Sequence, residues 1–268
     1  MSRREGPYAA AVSPSASIPP LCAVILAAGV GNRLRPLTDI RPKALCPVGN
    51  VPLLDLALDS VRPYAADVAV NVHHLADQVC RHLDGGAVRV SDERDRLLQS
   101  GGALGHLRAW IAGRAVLLRN ADAYLTSDLS ELITGWDGTR PRILGIRRGT
   151  PSDFGDVQYV GACLLPAADA QRMPDAPASV NDLVWQPAWA SGELEVVEAR
   201  GTFVDCGTPR EYLRANLLAS GGVSVVGEGA TVLGSVERVV VWPGGHVGQG
   251  ETLHDCIRIG ADLTVDAS

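Results

Sequence analysis

The stretch Ala23 to Pro47, AVILAAGVGNRLRPLTDIRPKALCP, constrains the fold of this chain more than any other. Ala23 to Leu26 is a short apolar run of the kind that forms a fully buried strand. Ala27-Ala28-Gly29-Val30-Gly31 follows, and its small residues let the backbone come close to another group. Arg33 and Arg35 come next, then Pro42-Lys43. A strand feeding a glycine turn, followed by cations, suits a polyanion such as a triphosphate. The chain has 24 Lys plus Arg, and Lys43 is the only lysine among them. Lysine meets phosphate as a mobile point charge and arginine as a rigid fork. A dinucleotide-binding turn is the competing reading, but Leu34 stands where its third glycine belongs. A P-loop is excluded, because no Gly-Lys-Ser/Thr follows.

Composition narrows the function classes. A length of 268 residues accommodates one large domain with a small appendage. A net charge of −6 argues against a nucleic-acid polymer as partner, so anionic substrates must be met by a local cationic cluster. Cys22, Cys46, Cys80, Cys163, Cys206 and Cys256 form no C-x-x-C pair, which points to small buried hydrophobes rather than disulfides or zinc. No run of 18 apolar residues implies a membrane span. A cytoplasmic enzyme is the simplest reading.

Along the chain, residues 1–20 are rich in Ala, Ser and Pro and read as a loose tail. Strands are predicted over Ala23–Leu26, Val68–Val72, Ala87–Val90, Ala115–Leu118, Pro141–Ile146, Val157–Leu165 and Leu194–Glu198. Helices are predicted over Val51–Val61, Leu75–Leu83, Leu104–Ile111, Asn181–Trp189 and Pro209–Leu218. This alternation predicts an α/β fold, a Rossmann-like, mostly parallel sheet wrapped by helices, with ligands at the carboxyl ends of its strands. From Gly222 the composition shifts to Gly and Val. Val241, Val247, Leu253, Ile259 and Val265 recur every six residues, and Val226 and Val232 keep that interval in an earlier register. A hexapeptide repeat of this kind reads as a β-helix. The predicted division is a catalytic domain over 21–219 and a β-helix stub over 220–268. So short a solenoid should dock on the main domain or on a second copy, giving a homo-oligomer.

Further constellations follow apolar runs. Asn120-Ala121-Asp122 comes directly after Ala115–Leu118, and Asp205 lies in Phe203-Val204-Asp205-Cys206-Gly207-Thr208-Pro209. Each aspartate alone reads as a turn residue or a helix cap. Together they supply the carboxylates with which magnesium is held beside a substrate's phosphates. Gln99-Ser100-Gly101-Gly102 reads either as a helix start capped by Ser100 or as a loop whose amide and backbone meet a base edge. His73 and His74 have no acid nearby in sequence and read as structural.

LAAGVGNRLRPLT followed by PKALCPVGNVPLLD resembles the opening of the sugar-1-phosphate nucleotidyltransferases, with Asn32 in place of the usual small hydroxyl residue. Asn120-Ala121-Asp122 is similar to that family's N-G-D, and the Asp205 stretch to its W-x-D-x-G-T-P. The resemblance covers roughly Cys22 to Leu218. It implies joining of a nucleoside triphosphate to a sugar 1-phosphate with release of pyrophosphate, with Mg2+ on Asp122 and Asp205. It implies Arg33, Lys43 and Asp122 as catalytic residues. For the nucleotide it implies Leu26, Ala27, Ala28, Gly29, Gly31, Asn32, Arg33, Lys43, Gln99, Ser100, Gly101, Gly102 and Asn120. Gln158-Tyr159-Val160-Gly161 resembles the sugar-side segment, which implies Tyr159 and Gly161 at the sugar. The tail resembles the left-handed β-helices appended to many such enzymes. The opening stretch places GTP slightly ahead of UTP. The second lysine of the family's E-K-P is missing; either Arg147 or Arg148 substitutes or the site works without it, as in the short N-acetylmuramate-1-phosphate uridylyltransferases that the chain also resembles. A catalytically inactive regulatory relative and an acyltransferase are the competing classes.

Overall fold

The computed structural model describes residues 19–268. The expected tail lies outside these residues except for Pro19 and Pro20, which lead into the first strand; Pro20 O already accepts from Ala115 N at 3.1 Å. Seven strands form the central sheet in the order Glu195–Glu198, Arg142–Arg147, Val157–Leu165, Ala115–Asn120, Leu21–Leu26, Val68–Val72, Val88–Asp92. Val157–Leu165 pairs antiparallel with both neighbours, and every other pairing in this sheet is parallel.

Leu21–Leu26 shows why the sheet is buried on both faces. Ala23 and Ile25 enter one apolar core, and Cys22 and Val24 enter the other. A parallel strand covered on both sides reads as such a continuous apolar run. From Leu21–Leu26 the chain moves to Val68–Val72 and Val88–Asp92 on one side, then crosses to Ala115–Asn120 on the other. The direction of winding therefore reverses between Leu21–Leu26 and Ala115–Asn120. Such a reversal opens a crevice at the carboxyl ends of the two strands.

The predicted helices form with shifted boundaries. Asn181–Trp185 is a π-helical turn that runs into an α-helix, Gln186–Ser191. The segment read as a base loop is itself helical, Gln99–His106, followed by Arg108–Ile111. Its glycines let the 174–178 segment cross closely. A Cβ on Gly102 would lie 2.3 Å from Ala176 O, and one on Gly105 2.0 Å from Pro174 O. Alanine is favoured over glycine in a helix by about 1 kcal/mol. Overpacking against an immovable carbonyl costs roughly 1–3 kcal/mol and outweighs it. Gly105→Ala is therefore expected to lower stability in chemical denaturation, and a more stable variant would contradict this packing.

Toward the C-terminus, strands stack in parallel coils: Val225 beside Val240, Val232 beside Val247, Val236 beside Leu253. Val241, Val247 and Leu253 are buried and Ile259 is partly buried, whereas Val265 is buried on a strand, Leu263–Asp266, that folds back antiparallel on Thr252–Ile259 instead of adding a coil; Val226 is 40% exposed, and Val225 enters the core shared with the main domain. The spacing slips between Val232 and Val241, where Val226 stacks on Val241. The coils dock on the main domain through a shared core containing Leu34, Cys46, Tyr212, Leu213, Trp242 and Ile257. Trp242 Nε1 donates to Tyr212 Oη at 3.0 Å, and Tyr212 Oη donates to Pro47 O. The Arg41 guanidinium lies 4.7 Å from the Trp242 ring centroid. The C-terminal coils thus brace the segment that carries Lys43. All six cysteines are free, and all but the half-buried Cys80 are buried.

Candidate active site

A cleft of about 540 Å³ opens at the carboxyl ends of Leu21–Leu26 and Ala115–Asn120. Leu26, Ala27, Ala28, Gly29, Gly31, Asn32 and Arg33 form one wall. Lys43, Asn120, Asp122, Gln99 and Ser100 also line the cleft. Gly31 has φ +70°, and a Cβ there would meet Thr38 Cγ2 at 2.8 Å, so only glycine fits that turn without strain. Gly29 faces open space. Ala121 is fully buried with its N–H bound to Leu26 O at 3.0 Å, which locks the two strand ends together.

Gly101, Gly102, Tyr159 and Gly161 do not line this cleft. Gly101 and Gly102 are buried, with their N–H groups donating to Ala178 O at 2.8 and 3.2 Å. Ser100 Oγ accepts from Val180 N at 2.9 Å rather than capping its own helix. Tyr159 packs against Trp185, ring centroids 4.6 Å apart, with its hydroxyl buried; its side chain does not line this cleft. Gly161, at φ +87°, abuts Asn120: a Cβ there would lie 3.3 Å from Asn120 Cβ.

Asp122 and Asp205, far apart in sequence, are joined by a short ribbon that sequence reading missed. Ala123–Leu125 pairs antiparallel with Phe203–Asp205, placing Asp205 opposite Ala123. Cys206 N donates to Asp122 O at 3.3 Å. The cap of helix Pro209–Ala219 is Thr208, whose Oγ1 accepts from Glu211 N, so Asp205 is left for the site. Lys43 Nζ donates to Asp122 Oδ2 at 3.1 Å and to Asp205 Oδ1 at 3.3 Å. Arg33 Nη2 reaches Asp205 Oδ2 at 3.3 Å. Burial is the largest influence on the Lys43 ammonium and pulls its pKa down; Asp122 and Asp205 together reverse this and hold it above the ordinary lysine value.

The donor set suits a divalent cation. Both carboxylates converge on one position, that of the Lys43 ammonium, and each is nearly half exposed (47% and 45%). Hard oxygen donors with room for phosphate oxygens are the set magnesium requires.

Two further residues position the cleft. Asn71 Oδ1 accepts from Ala27 N at 2.8 Å, and Asn71 Nδ2 donates to Glu93 Oε1 at 3.0 Å. Glu93 Oε2 accepts from Leu98 N at 3.2 Å, one residue before Gln99. Both side chains are buried, and this chain of bonds ties the glycine turn to the Gln99 segment. Burial pushes the Glu93 carboxyl above its ordinary pKa, partly offset by the bonds from Asn71 and Leu98. An Asn inside the otherwise apolar run Val68–Val72 was the one signal of this link in the sequence. His73 Nδ1 and His74 Nε2 each donate to a backbone carbonyl, Glu93 O and Thr38 O, both at 2.7 Å, as the structural reading expects.

A smaller pocket of about 150 Å³ adjoins the cleft across Arg33 and Gly207, with Asp205 on its own side. Arg148, Gln158 and Arg214 also line it. Arg148 Nε donates to Gln158 Oε1 at 2.7 Å, whereas Arg147 pairs with Asp156 at 2.8 Å and does not line it.

A glycine turn thus lies at the sheet's switch point, beside two cations and two carboxylates. The chain matches the MobA-like NTP transferase domain over residues 23–193 and belongs to that family; it is an enzyme of the sugar-1-phosphate nucleotidyltransferase kind. It is 31% identical over 232 residues to the N-acetylmuramate alpha-1-phosphate uridylyltransferase of Caulobacter vibrioides, covering 73% of this chain and 96% of that protein. It is 28% identical over 208 residues to a glucose-1-phosphate thymidylyltransferase of Streptomyces antibioticus, covering 69% of this chain and 58% of that one. Its fold superposes on the crystal structure of a Thermus thermophilus protein described as a mannose-1-phosphate geranyltransferase, with a TM-score of 0.70 at 19% identity, over 92% of this chain and 95% of that one. No helix among the described residues is long and apolar enough to cross a membrane.

Proposed function

We propose that the protein transfers a uridylyl group from UTP to a sugar 1-phosphate, releasing pyrophosphate. The observation that carries this is the convergence of Arg33, Lys43, Asp122 and Asp205 at the mouth of the cleft. An oxygen of the sugar phosphate attacks the α-phosphorus, and the bond to the bridging oxygen of the β-phosphate breaks. No covalent enzyme intermediate is needed, so catalysis is positioning and charge neutralisation. Arg33 meets the leaving pyrophosphate and Lys43 the phosphate charge. Asp122 and Asp205 would hold magnesium, which supplies further neutralisation of phosphate oxygens.

UTP is placed first because the relative matched over nearly its whole length is a uridylyltransferase. GTP is the second reading, favoured by the PKALCPVGNVPLLD stretch. Gln99 and neighbouring backbone groups select the base, since a site that pairs a base's polar groups rejects a base that leaves them unpaired. Pyrophosphate release should be followed with each of four nucleoside triphosphates and with N-acetylmuramate, glucose and mannose 1-phosphates. UTP should exceed the others by about a hundredfold. A GTP preference selects the second reading, and equal rates with all four exclude base selection by this segment.

The acceptor phosphate is assigned to the smaller pocket, where Arg148 takes the place of the missing lysine. Losing a hydrogen bond to a charged group costs about 1.5–3 kcal/mol, roughly tenfold or more in binding. Arg148→Ala should raise KM for the sugar 1-phosphate by about that factor and leave KM for the nucleotide unchanged. Arg147→Ala should change neither. Equal effects of the two substitutions on acceptor KM would remove Arg148 from the pocket's chemistry.

A further inference from the structure

Lys43 stands where the two carboxylates converge. Its side chain is 8% exposed, and among the described residues the acids it pairs with are Asp122 and Asp205, at 3.1 and 3.3 Å. A lysine whose sole task is to meet phosphate has no need to bridge both carboxylates. We propose that Lys43 is an internal counter-ion that occupies the cation position of the Asp122–Asp205 pair until metal and nucleotide arrive together. The inference rests on the proposed reading in one respect, that this pair ligates a divalent cation.

The charges at this node balance: Arg33 and Lys43 face Asp122 and Asp205. A divalent cation entering alone must take the carboxylates away from a buried ammonium, leaving like charges in near contact with nothing to screen them. A triphosphate removes that obstacle. Its oxygens give Lys43 a new anion to pair with while the carboxylates turn to the metal. Lysine suits this exchange because its ammonium is compact and swings on a flexible stem, whereas a guanidinium holds a fixed fork. The chain otherwise writes its cations as arginine, and its one lysine sits at this position. Metal and nucleotide are thereby coupled: each makes room for the other, and by linkage the effect is mutual.

The test measures Mn2+ binding in the absence of nucleotide, by loss of the free-ion paramagnetic resonance signal. Lys43→Met keeps the length of the stem and removes the charge. It should bind Mn2+ about tenfold more tightly than the unmodified protein, within the usual range for coupled sites. Lys43→Arg, which keeps a cation there, should not gain. Equal or weaker Mn2+ binding by a folded Lys43→Met protein overturns the proposal. Asp122→Asn separates this from a failure of the metal reading: if it binds Mn2+ as well as the unmodified protein, the carboxylates are not ligands at all. A second readout needs no variant. Lys43 is the only side-chain amine in the sequence, so its rate of modification by an amine-reactive reagent reports its release. Saturating Mn2+ alone should raise that rate, and UTP with Mn2+ should lower it. A rate unmoved by saturating Mn2+ overturns the proposal even if Lys43→Met fails to fold.

Discussion

Lys43→Ala lowers turnover by on the order of a hundredfold or more, the scale on which a positioned electrostatic donor acts. The reaction gathers negative charge from two phosphate substrates at one place, and the side chains offered there are few. Arg33 is 70% exposed and its contact with Asp205 is a single 3.3 Å bond, so solvent screens it. Lys43 is 8% exposed, and a charge shielded from water acts over a lower effective dielectric. It therefore carries most of the usable positive charge. The effect should fall on kcat more than on KM for the nucleotide, because charge in the transition state is what the ammonium stabilises. Steady-state pyrophosphate release by a variant shown to be folded checks this. Turnover within a few-fold of the unmodified protein would remove Lys43 from the chemistry. Lys43→Arg should recover only part of the loss, since a planar fork keeps the charge between the two carboxylates but does not swing to phosphate as a compact ammonium does.

Much of this architecture was legible in the sequence, for a definite reason. The central sheet strands are apolar on both faces, and Leu21–Leu26 and the Ala115–Leu118 part of Ala115–Asn120 announce themselves as unbroken runs before polar residues. The glycine turn, Lys43, Asp122 and Asp205 stand in local motifs whose residue types alone suggest phosphate and metal. What the sequence could not display was pairing between distant short segments. Ala123–Leu125 and Phe203–Asp205 are three residues each, too short for a period to show, yet their ribbon brings the two aspartates to one ammonium. The Asn71–Glu93 link is hidden for the same reason: each residue reads locally as a polar group at a strand end, and only the fold places Ala27 and Leu98 on either side of them.

The glycine pair Gly101-Gly102 illustrates an ambiguity that pattern reading leaves open. Two glycines after a serine fit a flexible loop. They also fit a helix that another backbone segment crosses at close range, as the 174–178 segment does here. The hexapeptide spacing at the C-terminus was legible at Val241, Val247 and Leu253 and misleading at Val265, whose strand folds back antiparallel on Thr252–Ile259; Val226 is in register with the buried Val241 but belongs to the first strand of its sheet and stays 40% exposed.

Asp122→Asn and Asp205→Asn each keep the shape of the side chain and remove its charge, and each should lower turnover by about 10²- to 10³-fold. A metal's neutralisation of phosphate oxygens is worth several kcal/mol, and a tenfold change in rate corresponds to about 1.36 kcal/mol. Raising magnesium should restore part of the lost rate in each variant, because the remaining carboxylate and the substrate phosphates still offer oxygens. Magnesium titrations of initial rate read this directly; a variant with an unchanged magnesium requirement does not carry a ligand substitution. Stability should follow a different rule. Each carboxylate is nearly half exposed, so replacing one alone should shift the melting temperature little while the other still neutralises Lys43. Replacing both leaves the buried ammonium without a carboxylate partner in direct contact, and an uncompensated buried charge is costly. The double variant should therefore be destabilised by more than the sum of the single variants, as expected for residues that share one partner. Additive single and double variants would mean that Lys43 does not depend on this pair for its charge.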